Sequence, residues 1–148
     1  VLKPMSAELL RESFKIQGRN FDKAGEVSSE IKVILRDLSI DAANTRRTVI
    51  VAYEGEMNVV MYARRGTLTL ILTDDDVSLE IDDEGPGIPD IEQALQEGYS
   101  TATDEMRELG FGFGMGLPNM RRNSDEFSIE SEVGKGTRVM AKIKLDGR

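Results

Sequence analysis

The sequence predicts an α/β (α+β) two-layer sandwich, a mostly antiparallel mixed sheet covered on one face by helices. Three observations carry this. Two stretches of helical spacing follow one another near the start, from Phe21 to Leu38 and from Asp41 to Ala63. Two hairpin patterns follow later, around Asp74-Asp75-Asp76 and Gly134-Lys135-Gly136. Each strand alternates apolar with polar residues, so the sheet has one face to bury and the helices must cover it.

Taken in order, residues 1–8 read as a loose tail. Phe14-Lys15-Ile16-Gln17 alternates as a short strand that Gly18 ends. Phe21, Ala24, Ser28, Ile31, Ile34 and Leu38 recur at helical spacing, with Asn20 as the expected N-cap. The second helix starts near Asp41, and Gly66 is placed to end it. Leu68, Leu70 and Leu72, then Val77, Leu79 and Ile81, form the inward sides of a hairpin. A Gly- and Pro-containing segment leads into a short helix over Ile91–Gln96. Residues 98–114 are polar, then glycine-rich, the profile of a mobile segment. A helix begins near Gly116–Pro118, proline being favoured in a first turn. The closing hairpin runs in through Phe127, Ile129 and Ser131, turns at Gly134-Lys135-Gly136, and comes out through Val139, Ala141, Ile143 and Leu145.

With 148 residues the chain is expected to form a single domain. No apolar run approaches the ~20 residues of a membrane span. Nothing at its start has the basic-then-apolar pattern of a signal segment, so the expected location is cytoplasmic. There is no cysteine, which excludes disulfides, thiol catalysis and Cys-type zinc sites, and no histidine. Net charge is −8, a field that opposes direct binding to nucleic acid or anionic membranes. It also opposes polyphosphates at long range, so any such ligand needs local dipoles and a cation.

Four features could carry chemistry. Glu54 and Asn58 stand four apart, on one face of the second helix. Asp83 shares strand parity with Val77, Leu79 and Ile81, so it should point toward the core layer and Asp82 away. The tight turn Glu84-Gly85-Pro86-Gly87 follows it. In Gly110–Gly116 alternating glycines let backbone N–H groups approach an anion, with a helix N-terminus behind them. No Gly-Lys-Ser/Thr closes this run as in a P-loop, and no βαβ unit surrounds it. Thr137 shares parity with Val139, Ala141 and Ile143. Singly, each has a plainer reading: a polar helix stripe, a turn-capping aspartate, a hinge, a β-former at a strand start.

Their order is more informative. Glu-x-x-x-Asn on a helix, Asp-x-Gly-x-Gly after a hairpin strand, a glycine-rich lid and Gly-Thr on the last hairpin together resemble the GHKL superfamily of ATPases and kinases, with its Bergerat ATP-binding fold. The likeness spans residues 14–145. "DDEGPGIPDIEQALQEGYST", "GFGMGLPNMRR" and "DEFSIESEVGKGT" are similar to the small bacterial anti-sigma factors and serine-protein kinases. The resemblance implies ATP and Mg²⁺ as cofactors. It implies Glu54 as the base that orients or deprotonates the attacking hydroxyl, and Asn58 as the protein's ligand to Mg²⁺. Asp83 would accept from the adenine amine, with Gly85 and Gly87 in the turn beside the base and Thr137 acting through water. The amides of Gly112, Gly114 and Gly116 would hold phosphates, and residues 98–114 would be the lid. No motif fixes a basic residue at the γ-phosphate; Arg107, Arg121 and Arg122 are candidates. Gly55 costs about 1 kcal/mol against alanine in mid-helix, a cost that close packing would offset.

The implied function is transfer of phosphate from ATP to a serine of a STAS-type regulatory partner. One rival is an ATP-dependent anti-sigma module that sequesters a sigma factor with little catalysis. The other is a histidine-kinase-type catalytic domain acting in trans, disfavoured because the chain has neither a histidine nor a dimerisation helix pair. The resemblance leaves the oligomeric state open, a homodimer included.

Overall fold

The computed structural model describes residues 7–100 and 116–145. Five strands, β1 (Glu8–Gln17), β2 (Arg65–Thr73), β3 (Asp76–Asp83), β4 (Glu126–Glu132) and β5 (Gly136–Lys144), make one sheet in the order β1-β2-β3-β5-β4, every neighbouring pair antiparallel. Among the described residues four helices accompany it: α1 (Glu26–Asp37), α2 (Ala42–Tyr62), the single turn α3 (Ile91–Ala94) and α4 (Gly116–Arg122). α2 packs on β1, β2, β3 and β5, with α1 and α4 against its flanks.

Register explains both the core and the site. One rung runs across the whole sheet as Phe14, Leu68, Ile81, Val139 and Ile129. The next inward rung carries Leu70, Leu79, Ala141 and Phe127. Leu68, Leu70 and Leu79 are fully buried under α2, each contributing about 1.5–3 kcal/mol through its apolar area. Two residues beyond Phe14, in the other direction, the rung reads Ile16, Gly66, Asp83, Thr137 and Ser131. The apolar face thus turns polar at one end, beneath the C-terminal half of α2.

Gly55 is the point of closest approach between the layers. A Cβ there would lie 2.7 Å from Ile81 Cδ1 and 3.3 Å from Met120 Cε, so glycine lets α2 sit down on β3 and α4 together. On the outer face Arg138 stands between Glu80 and Asp82, 3.6 Å from each. Such exposed pairs add solubility more than stability.

Some boundaries differ from the sequence expectation. β1 begins at Glu8, not Phe14, because residues 8–13 pair with β2 although they do not alternate. The first helix starts at Glu26: Phe21–Lys23 is a separate 3₁₀ turn, and Gly25, at φ +96°, is the N-cap instead of Asn20. α2 has its expected start, with Asp41 accepting from the Asn44 amide at 3.0 Å. Gly66 does not end α2 but lies inside β2, where a Cβ would meet Asp82 O and the Val59 side chain. α3 stops at Ala94, short of Gln96.

Candidate functional site

A cleft of about 480 Å³ lies between the second half of α2, the polar end of the sheet, the 86–100 segment and the start of α4. Glu54, Asn58, Asp83, Gly87, Gly116 and Thr137 all line it. Met57, Met61, Ile81 and Val139 give it an apolar floor, the mixture expected where a flat aromatic group is held by few polar contacts.

Asp83 ends β3 with its side chain on the inner face, while Asp82 is exposed. Its Oδ1 accepts from the Thr137 amide at 3.1 Å, and the Gly85 amide also donates to the carboxylate. Burial pushes its pKa up; these two amides pull it back, and Asp82 adds a smaller upward push. A carboxylate has about four acceptor positions, so Asp83 keeps capacity for a donor in the cleft. Gly85 sits beneath it, its Cβ position 3.0 Å from Asp83 Oδ1, and is not part of the cleft lining. Gly87 lines the cleft at φ +78°, and a Cβ there would fall 2.4 Å from Glu132 O. Glycine at 87 therefore seats this loop on the β4–β5 turn, where Gly134 N donates to Pro86 O at 2.8 Å.

Below Thr137 stands Ser131, whose Oγ donates to Gly136 O at 3.1 Å and accepts from Ile88 N at 2.7 Å. With that hydrogen committed, the 2.9 Å contact between the two hydroxyls has Thr137 donating, which leaves the Thr137 oxygen as an acceptor toward the cleft. Sequence reasoning places Ser131 on the strand entering the closing hairpin but does not single it out; sharing parity with Phe127 and Ile129 and pairing with Thr137, it could have been found by the same alternation. At Gly136, φ +150°, a Cβ would lie 1.9 Å from Asp83 O, so no side chain fits where β5 meets β3.

Glu54 and Asn58 occupy successive turns of α2. Gly116 packs directly on them: a Cβ there would be 3.2 Å from Glu54 Oε2 and 3.4 Å from Asn58 Oδ1. Glu54 is half-buried with no hydrogen bond or ion pair among the described residues, and burial raises its pKa. An ionised carboxylate so placed is short of partners, the environment of a proton acceptor. Gly112, Gly114, Arg107 and residues 101–114 of the expected lid lie outside the described residues; Tyr99 and Ser100 line the cleft. Arg122 pairs with Glu97, and Arg121 is exposed.

Sequence reasoning missed Glu56. It is buried, and its Oε2 accepts from Gly25 N at 3.0 Å and Val27 N at 3.2 Å, its Oε1 from Ser28 N at 3.0 Å. A side chain from α2 thus caps α1, whose own N-cap has none. No local pattern signals a cap supplied from 31 residues away.

The family described as "Histidine kinase-, DNA gyrase B-, and HSP90-like ATPase" matches residues 7–147. The chain is 30% identical over 112 residues to the serine/threonine-protein kinase RsbT of Bacillus subtilis, covering 73% of this chain and 78% of that protein. It is 33% identical over 121 residues to the anti-sigma F factor of Geobacillus stearothermophilus, 82% of this chain and 72% of that one. Among solved structures, a chain of the SiaB-SiaC complex from Pseudomonas aeruginosa superposes with a TM-score of 0.61 at 13% identity, covering 92% of this chain and 91% of that chain. The last similarity is one of fold.

Proposed function

The chain belongs to the histidine kinase-, DNA gyrase B- and HSP90-like ATPase family, and on that premise we propose that it is a Mg-ATP-dependent protein serine kinase of the anti-sigma regulatory kind, acting on a STAS-type partner in the cytoplasm. The observation that supports this best is the convergence of Glu54 and Asn58 from α2, Asp83 from β3 and Thr137 from β5 on one cleft, three separate segments. The cleft fits a nucleotide: its floor is apolar, Asp83 has acceptor capacity left, and Gly116 leaves room where a Cβ would press on Glu54 and Asn58. ATP supplies the phosphoryl group, and the described helices include none long and apolar enough to cross a membrane.

In this reading Asp83 accepts from the adenine amine, with Thr137 beside it. Asn58 offers an amide oxygen to Mg²⁺, a hard cation that takes oxygen ligands and commonly few from protein. Gly116, with Gly112 and Gly114, offers amides to the phosphates. Glu54 takes the proton of the serine hydroxyl as its oxygen bonds to the γ-phosphorus and the bond to the departing diphosphate oxygen breaks. Glu54 is suited because it is ionisable, short of partners and adjacent to Asn58.

A second reading is favoured by the likeness to anti-sigma F factors: ATP-dependent capture of a sigma factor. The test is incubation with Mg²⁺ and γ-labelled ATP and a purified STAS-domain protein or sigma factor, with phosphosite mapping. Label on a serine is expected, reduced together with ATP affinity in Asn58→Ala. Nucleotide-dependent capture without label would give the second reading preference.

A further inference from the structure

Glu54 is shared by two cavities. Besides the cleft, it lines a groove of about 560 Å³ between α1, α2 and α4, and among the described residues only Tyr53 accompanies it in both. The α2 stripe at steps of four makes the connection. Ile50 lies in the groove, Glu54 at the junction and Asn58 in the cleft. In-line phosphoryl transfer brings the attacking oxygen from the side opposite the leaving group. An acceptor therefore needs an entrance to Glu54 other than the one the nucleotide fills.

Taking the proposed function as its basis, we infer that this groove is the acceptor channel, receiving an extended, acidic, serine-bearing segment of the partner protein and delivering its hydroxyl to Glu54. The groove walls suit such a segment. Asn119 Oδ1 accepts from Arg122 at 3.1 Å, and Asn123 Nδ2 donates to Asn119 O at 2.9 Å. That leaves the Asn119 amide as donor and the Asn123 oxygen as acceptor, the pair an extended backbone requires. Val49, Ile50 and the exposed Tyr53 ring offer apolar contact to side chains flanking the serine. Lys32 stands exposed at the α1 side with no ion-pair partner among the described residues. In a chain of net charge −8 it gives the groove a local attraction for a carboxylate and sets the preferred flank.

The test uses 11-residue peptides with a central serine and acidic, neutral or basic flanks, Mg²⁺ and γ-labelled ATP. Wild type is compared with Lys32→Glu and with Ser29→Trp, which fills the groove from an exposed helix position. Wild type should favour acidic flanks, and Lys32→Glu should shift that preference about tenfold toward basic flanks, mainly through KM. Ser29→Trp should lower transfer to all peptides, and ATP affinity by calorimetry should match in all three. Unchanged preference in Lys32→Glu, with wild-type rates in Ser29→Trp, overturns the inference. Transfer to a protein acceptor but to none of the peptides also overturns it while the kinase reading stands. ATP binding with no transfer to protein or peptide removes both.

Discussion

Glu54 and Glu56 stand two positions apart on α2, about 200° around the helix, and their surroundings are opposite. Glu56 faces α1, is 2% exposed and accepts three backbone N–H groups. Glu54 faces the cleft and the groove, half-buried, with no partner among the described residues. One carboxylate is saturated and holds two helices together. The other bears the cost of burial without compensation and stays available for a proton. The same side chain thus serves architecture or chemistry according to whether the fold aims N–H groups at it.

Removing each carboxylate in turn is the sharpest way to break that comparison. Glu54→Gln should lower phosphoryl transfer by about 10²–10⁴-fold while Mg-ATP affinity, read by calorimetry, stays near wild type. Transfer at the wild-type rate would falsify Glu54 as the base. Glu56→Ala should act on stability instead, lowering the unfolding free energy in urea by about 2–4 kcal/mol, since buried amides lose a charged acceptor. If Glu56→Ala unfolds at the wild-type midpoint, the cap on α1 contributes nothing and the contrast collapses.

Asp83 is intermediate, held by two amides on one side and facing the cleft on the other. Asp83→Asn should weaken ATP binding about tenfold or more, matching the ~1.5–3 kcal/mol of a hydrogen bond to a charged group. Asp82→Asn, on the exposed face, should leave affinity within about twofold, a change of ~0.4 kcal/mol. Equal affinities for wild type and Asp83→Asn would remove Asp83 from the adenine contact.

The smallest effect is in pH. Burial raises the pKa of Glu54, and a base works only when ionised. The acid limb of the transfer rate should therefore lie above the pH of an ordinary glutamate, and a limb at the ordinary value would contradict the burial argument. A raised folded-state pKa also means that stability present below the unfolded pKa is lost as pH rises through the folded one. Glu54→Gln should then melt slightly higher than wild type near pH 7, the difference vanishing in acid; melting curves at the two pH values check the sign.

Local rules were enough for much of this molecule. Strand alternation placed Asp83 and Thr137 on the inner face and Asp82 outside, because side chains in a strand point to opposite faces whatever the strand pairs with. A spacing of four put Glu54 and Asn58 on one helical stripe for an equally local reason, and Asp41 announced the start of α2. The ordered motifs supplied the family resemblance. Tertiary structure decided the rest. Residues 8–13 became strand only because β2 offered them a ladder. α1 began at Glu26 only because Glu56 reached across to cap it. Gly55, Gly66, Gly87 and Gly136 are needed not for turn geometry alone but because another element lies where their Cβ would be. The rung of Gly66, Asp83, Thr137 and Ser131 exists only once strand order and register are set. Those depend on which surfaces bury one another over long sequence separations, and no local pattern encodes such contacts.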